Sequence, residues 1–120
     1  MKRIEAIIRK TKFTEVKDAL HAADIDFFSF WDVRGVGQAR QGRVYRGVVY
    51  DTSSIERILI SIVVRDKNVD KAVNAILKSA TPGEIGDGRI FVMPVDSTYK
   101  IRTGEAGDDT LYVSEEEKLK

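Results

Sequence analysis

Apolar and polar positions alternate through "KRIEAIIR" (2–9), with β-branched residues set between charges, and this predicts a strand. The period then changes. Val16, Ala19, Leu20 and Ala23 fall at i, i+3, i+4, i+7, which predicts a helix over 14–23 with Thr14 as its cap. "DFFSFWDVR" (26–34) returns to a loose alternation and predicts a second strand. "RILISIVV" (57–64) is rich in β-branched residues and predicts a third. A second helix follows over 68–80, with Asn68 as cap and Val69, Val73, Ile76 and Leu77 facing inward. "RIFVMPV" (89–95) predicts the fourth strand, and "TYKIRTG" (98–104) a short strand or extended arm. Between the second and third strands, "GVGQARQGRVYRGVVYDTSS" (35–54) keeps no period and predicts a long loop.

The order βαβ–loop–βαβ is the split pattern of an α+β, ferredoxin-like βαββαβ sandwich. One sheet would carry both helices on a single face. The strands are apolar on both sides (Ile7, Phe28, Phe30, Ile60, Ile62, Phe91), so the other face needs a cover, and further copies of the chain are the expected one. The loop, about 36–54, is longer than a connection needs to be, and loops of that length are normally functional or disordered. Residues 1–112 read as one domain and 113–120 as a polar tail.

Composition narrows the function more than the fold. The chain has 120 residues, 20 basic and 19 acidic side chains, and a net charge of +1. That balance gives no global attraction to nucleic acid or anionic membrane. There is no cysteine, so disulfides, thiol catalysis and Cys-ligated zinc are excluded, which fits a reducing cytoplasm. A single histidine, His21, rules out a His-rich metal site within one chain. The strand pattern begins at Lys2 with no signal peptide ahead of it, and no apolar run reaches the roughly 20 residues of a membrane span.

Three clusters carry candidate chemistry. "GEIGDGRIF" (83–91) sets Asp87 between Gly86 and Gly88, with Arg89 next. This is either a tight turn or a bare backbone that cradles phosphate beside a guanidinium. In "KIRTG", Lys100 and Arg102 alternate along a predicted extended segment and so face one side, either as a solvated edge or as a pair of anion ligands. "VRGVG" (33–37) ends a strand on two glycines, Gly35 and Gly37, where the loop begins; it is a hinge or a second backbone surface for the same ligand. Gln38, Arg40, Gln41, Arg43 and Arg46 follow within the loop, and "YRGVVY" (45–50) is a hairpin tip or a recognition tip. Trp31 reads as packing and His21 as a surface residue. No serine, histidine and carboxylate stand in a triad-like context, and no carboxylates pair on adjacent apolar segments, so an enzyme active site is not visible.

Taken in order, "IEAIIR", "VRGVG", "YRG" with Tyr50, "IVV", "IGDGRIFV" and "IRTGE" resemble the PII signal-transduction proteins of nitrogen regulation across nearly the whole chain. The resemblance implies a homotrimer that binds ATP or ADP in clefts between subunits and acts, without being an enzyme, through its long T-loop. Gly86, Asp87, Gly88 and Arg89 match the segment that wraps the phosphates. Lys100 and Arg102 match basic residues that reach the phosphates from a neighbouring subunit. Ser29 stands where the family often has Thr near the base, and Gly35 and Gly37 match the start of the T-loop. The resemblance further implies 2-oxoglutarate bound through Mg, with a loop glutamine on the metal and a basic residue, here Arg57, on the distal carboxylate. The family's loop usually begins Gly-Arg-Gln; this one reads Gly-Gln-Ala-Arg-Gln, so the metal-side ligand is Gln41 or Gln38. Tyr50 matches a loop tyrosine that some members carry uridylylated. The implied partners are an ammonium transporter or an enzyme of nitrogen metabolism, with no nucleic acid and no insertion into the membrane.

Two other functions suit the same fold. A small acylphosphatase-like hydrolase needs an Arg-rich loop just after the first strand, which this sequence lacks. A nucleic-acid module needs exposed aromatics on basic central strands, which the near-zero net charge disfavours.

Overall fold

A computed structural model of the chain describes residues 1–36, 43–45, 48–50, 54–81 and 88–111. Among these the elements run β1 (Lys2–Arg9), α1 (Phe13–Ala22), β2 (Ser29–Val36), β3 (Arg43–Tyr45), β4 (Val48–Tyr50), β5 (Ser54–Val64), α2 (Val69–Ala80) and β6 (Gly88–Pro94). The main sheet has the order β2-β5-β1-β6, and every neighbouring pair is antiparallel. This is the ferredoxin-like α+β arrangement expected from the βαββαβ pattern.

The two-residue period of β1 fixes which face the helices cover. Ile4, Ala6 and Ile8 are buried, and their β5 partners Ile62, Ile60 and Ile58 are buried with them. Val16 and Leu20 of α1 and Ala72, Ile76 and Ala80 of α2 close that layer. The alternate residues, Arg3, Glu5, Ile7 and Arg9 on β1, therefore point to the opposite face.

Several expectations need correction. The second strand starts at Ser29 rather than at Asp26, because Asp26 turns back to His21, whose Nδ1 lies 2.6 Å from its Oδ1. The first helix starts at Phe13, entered from a 3-10 turn at Lys10–Lys12; Lys12, not Thr14, holds the cap position and makes no side-chain cap bond. Asn68 does stand at the second helix's cap position, also without a side-chain bond. Leu77 is 52% exposed rather than inward; Ala72 and Ile76 take the buried stripe of α2. Trp31 is 47% exposed, on the face away from the helices. The third strand begins three residues early, at Ser54, where it continues pairing with β2. Part of the predicted loop also forms its own ladder, β3 with β4, with Val44 opposite Val49.

Residues 98–104 are not a strand. Tyr99 makes an isolated bridge to Ala106, Lys100 N donates to Glu105 O (2.8 Å), and Gly104 N donates back to Lys100 O (2.8 Å). Gly104 has φ +73, a left-handed conformation that glycine adopts cheaply and that lets the chain reverse. The apolar alternation of Tyr99 and Ile101 imitates a strand, but the hydrogen bonds close a turn at 101–103. The segment is joined to the sheet's end, where Val95 N donates to Met1 O (3.2 Å). There the Met1 ammonium lies 3.0 Å from Asp66 and, by hydrogen bond and charge, holds that carboxyl below its usual range.

Candidate functional site

Cross-strand partners share a face, so the register lays out the side of the sheet that the helices leave open. One row runs Trp31, Leu59, Ile7, Arg89 from edge to edge. The next row toward the loop end holds Val33, Arg57 and Arg9. A row on the other side holds Ser29, Ser61, Glu5 and Phe91. The face is thus mainly apolar across its middle and cationic at the end from which the long loop leaves.

Three arginines meet at that end. Arg57 is only 7% exposed, and its Nη1 lies 3.4 Å from Glu56 O. Arg9 stands directly opposite it on β1, and Arg89 pairs with Ile7, diagonal to Arg9. Like charges so placed repel each other unless an anionic group lies beside them. Arg9 escaped the sequence reading because strand one shows only alternation. Its role emerges once the register sets it across from Arg57.

Gly88 opens β6 with φ +110, and a Cβ added there would lie 1.7 Å from Ile7 O. The glycine is therefore required by close approach of β6 to β1, a reason distinct from both sequence readings, tight turn and ligand cradle. Gly35 sits on β2 opposite Ile55, and a Cβ added to it meets nothing within 4 Å. Packing within one chain thus imposes glycine at 88 and leaves it unexplained at 35.

The remaining candidates are dispersed. Ser29 begins β2, at the sheet edge opposite to Arg89, three strand spacings or roughly 14 Å away. Lys100 and Arg102 lie in and beside the turn beyond Pro94, past the far end of β6; from Arg89 to Pro94 alone is about 17 Å of strand. The turn geometry removes the alternation argument for those two cations, though it keeps them close in the chain. Tyr50 ends β4, in register with Arg43. Gly37, Gln38, Gln41, Gly86 and Asp87 lie outside the described residues. Among the described residues no group of three or more His, Asp or Glu side chains is placed to hold a metal, and no helix is long and apolar enough to cross a membrane.

The arrangement places Arg9, Arg57 and Arg89 at the loop end of the open face. It offers no nucleophile with an adjacent base among the residues named here, and so no route to acyl-phosphate hydrolysis is apparent in them.

Known proteins share this layout of sequence. The family "Nitrogen regulatory protein P-II" matches residues 1–105. The chain is 41% identical over 112 residues to nitrogen regulatory protein P-II of Cereibacter sphaeroides, covering 92% of this chain and 100% of that one. It is 44% identical over 112 residues to the P-II protein of Synechocystis sp., with the same coverage of both chains. It is 47% identical over 108 residues to nitrogen regulatory protein P-II 2 of Methanothermobacter thermautotrophicus, covering 89% and 94% of the two chains. A family match over most of the length, relatives above 40% identity along nearly their whole extent and the ferredoxin-like sheet agree, and the chain belongs to the nitrogen regulatory protein P-II family.

Proposed function

We propose that this chain is a non-enzymatic regulator of nitrogen metabolism that binds ATP or ADP in clefts between the subunits of a homotrimer. One observation carries this reading: the candidate phosphate ligands lie toward opposite ends of the sheet. Arg89 and Gly88 are at the loop end, and Lys100 and Arg102 beyond the other. A single triphosphate cannot span that separation within one chain, whereas head-to-tail contacts around a ring of three copies can bring one chain's loop end to its neighbour's far end. In that arrangement Gly86, Asp87, Gly88 and Arg89 of one subunit hold phosphates together with Lys100 and Arg102 of the next. Gly35, Gly37 and Ser29 border the same cleft.

Arg57, with Arg9 opposite it, suits the distal carboxylate of 2-oxoglutarate. Mg favours phosphate oxygens and few protein ligands, so a nucleotide's phosphates with a single loop amide, from Gln41 or Gln38, suit it. What is held in the cleft biases the conformation of the loop at about 36–54, and the loop then docks on or leaves its target, an ammonium transporter or a nitrogen-metabolism enzyme in the cytoplasm. Tyr50 is the loop position for covalent modification. The names of the relatives support regulation rather than catalysis.

Calorimetric titration with ATP and ADP, repeated with Mg and 2-oxoglutarate, tests the reading. Saturable heats with one nucleotide per subunit, and a further heat from 2-oxoglutarate only with MgATP present, are expected. Absence of nucleotide heat overturns it.

A further inference from the structure

The turn that carries Lys100 and Arg102 stands away from the sheet. Ile101 at its tip is fully exposed, so the tip gains no order from burial of that side chain. Its internal hydrogen bonds set its shape. Its aim is a separate matter, and it depends on what ties the returning leg to the body.

That tie can be followed atom by atom. Gly107 N donates to Thr98 O (3.1 Å) and closes the base of the hairpin. Thr110 then binds Gly107 O twice, through its amide (3.1 Å) and its Oγ1 (2.6 Å). Thr110 belongs to the short 3-10 turn Asp108–Leu111, and the neighbouring Asp109 accepts from Arg65 Nη2 at 2.7 Å. Arg65 follows the last residue of β5, and its carbonyl accepts from Asn68 N (2.9 Å), so its backbone is fixed to the sheet. The guanidinium side of the pair is 23% exposed and the carboxylate side 94%. With its carboxylate exposed, the contact is a surface ion pair, so breaking it is expected to have a small effect, read as a few-fold change.

We propose that Arg65 and Asp109 are positioning residues that aim the Lys100–Arg102 turn, which rests on the nucleotide-binding reading given above. Neither residue touches phosphate in this scheme. The pair acts through the path Arg65, Asp109, Thr110, Gly107, Thr98, and holds the turn in the direction from which its cations meet a neighbour's ligand. A turn already aimed loses less conformational freedom when phosphate binds, so breaking the pair weakens binding without removing a ligand.

The test combines hydrogen exchange with calorimetry on the full chain. In Asp109→Asn, exchange at the amides of Lys100, Gly104 and Gly107 rises about two- to fivefold, and ATP affinity falls by a similar factor. Affinity for AMP falls less, because fewer phosphate contacts depend on the turn. The exchanged pair Arg65→Asp with Asp109→Arg restores both readouts toward wild type. Unchanged exchange in Asp109→Asn overturns the proposal whatever the nucleotide data give. Faster exchange with unchanged ATP affinity, in a chain whose wild type binds ATP, also overturns it. If the wild type binds no ATP, the nucleotide reading fails and the positioning role with it, while the exchange data separately report whether the pin exists.

Discussion

Gly88 and Arg89 are adjacent in sequence and answer to different demands. Gly88 is fixed by the fold: its φ of +110 and the contact of 1.7 Å that a Cβ would make with Ile7 O leave no room for a side chain. Gly88→Ala is expected to cost about 2–4 kcal/mol of stability, read from denaturant unfolding. Arg89 is exposed on the open face, and in the proposed function it answers to a ligand. Arg89→Ala or Arg102→Ala is expected to leave stability nearly unchanged and weaken ATP binding by about 1.5–3 kcal/mol for each charged hydrogen bond lost, measured by calorimetry. Arg9→Ala separates the two ligands further. It removes a guanidinium directly opposite Arg57 and only diagonal to Arg89, and is expected to reduce the heat of 2-oxoglutarate binding more than it weakens ATP binding.

The regular elements were legible because their periods are clean. Ile4, Ala6 and Ile8 announce β1 by alternation, and burial of all three follows. The errors arose where pattern and hydrogen bonding diverge. Tyr99 and Ile101 alternate as a strand would, yet Gly104 returns its amide to Lys100 O. Leu77 fits the helical stripe but sits at its margin, where the small Ala72 and Ala80 are buried in its place. At the site, the glycines and cations were readable as residue types, while their spacing was not. Which of them share a face is a property of register, and Arg9 was invisible for that reason. The long loop is the most separable element. Val36 and Ser54 are cross-strand partners, so a short turn can join β2 to β5 directly. Replacing 38–52 with a short Gly-containing turn is expected to preserve the unfolding transition and abolish target binding and the response to 2-oxoglutarate. Loss of the folded transition on that replacement would show that the loop belongs to the core.

For the whole molecule, the open sheet face decides everything else. Trp31, Leu59 and Ile7 make an apolar row that water meets in a single chain, with Phe91 exposed beside it. If the proposed trimer buries that row, placing a carboxylate in it, as in Leu59→Glu, is expected to give monomers in sedimentation equilibrium and to remove ATP binding in the same step, because burying an unpaired charge at an interface is prohibitive. The central claim is that the nucleotide site is built from the loop end of one chain and the far end of another. Mixing tests it most directly. Arg89→Ala chains and chains carrying Lys100→Ala with Arg102→Ala are each expected to bind ATP weakly. Refolded together, they form mixed trimers in which some clefts pair an intact Arg89 with an intact Lys100 and Arg102, and a class of sites with wild-type affinity returns. If the mixture binds no better than its two components, each site lies within a single chain and the account is wrong.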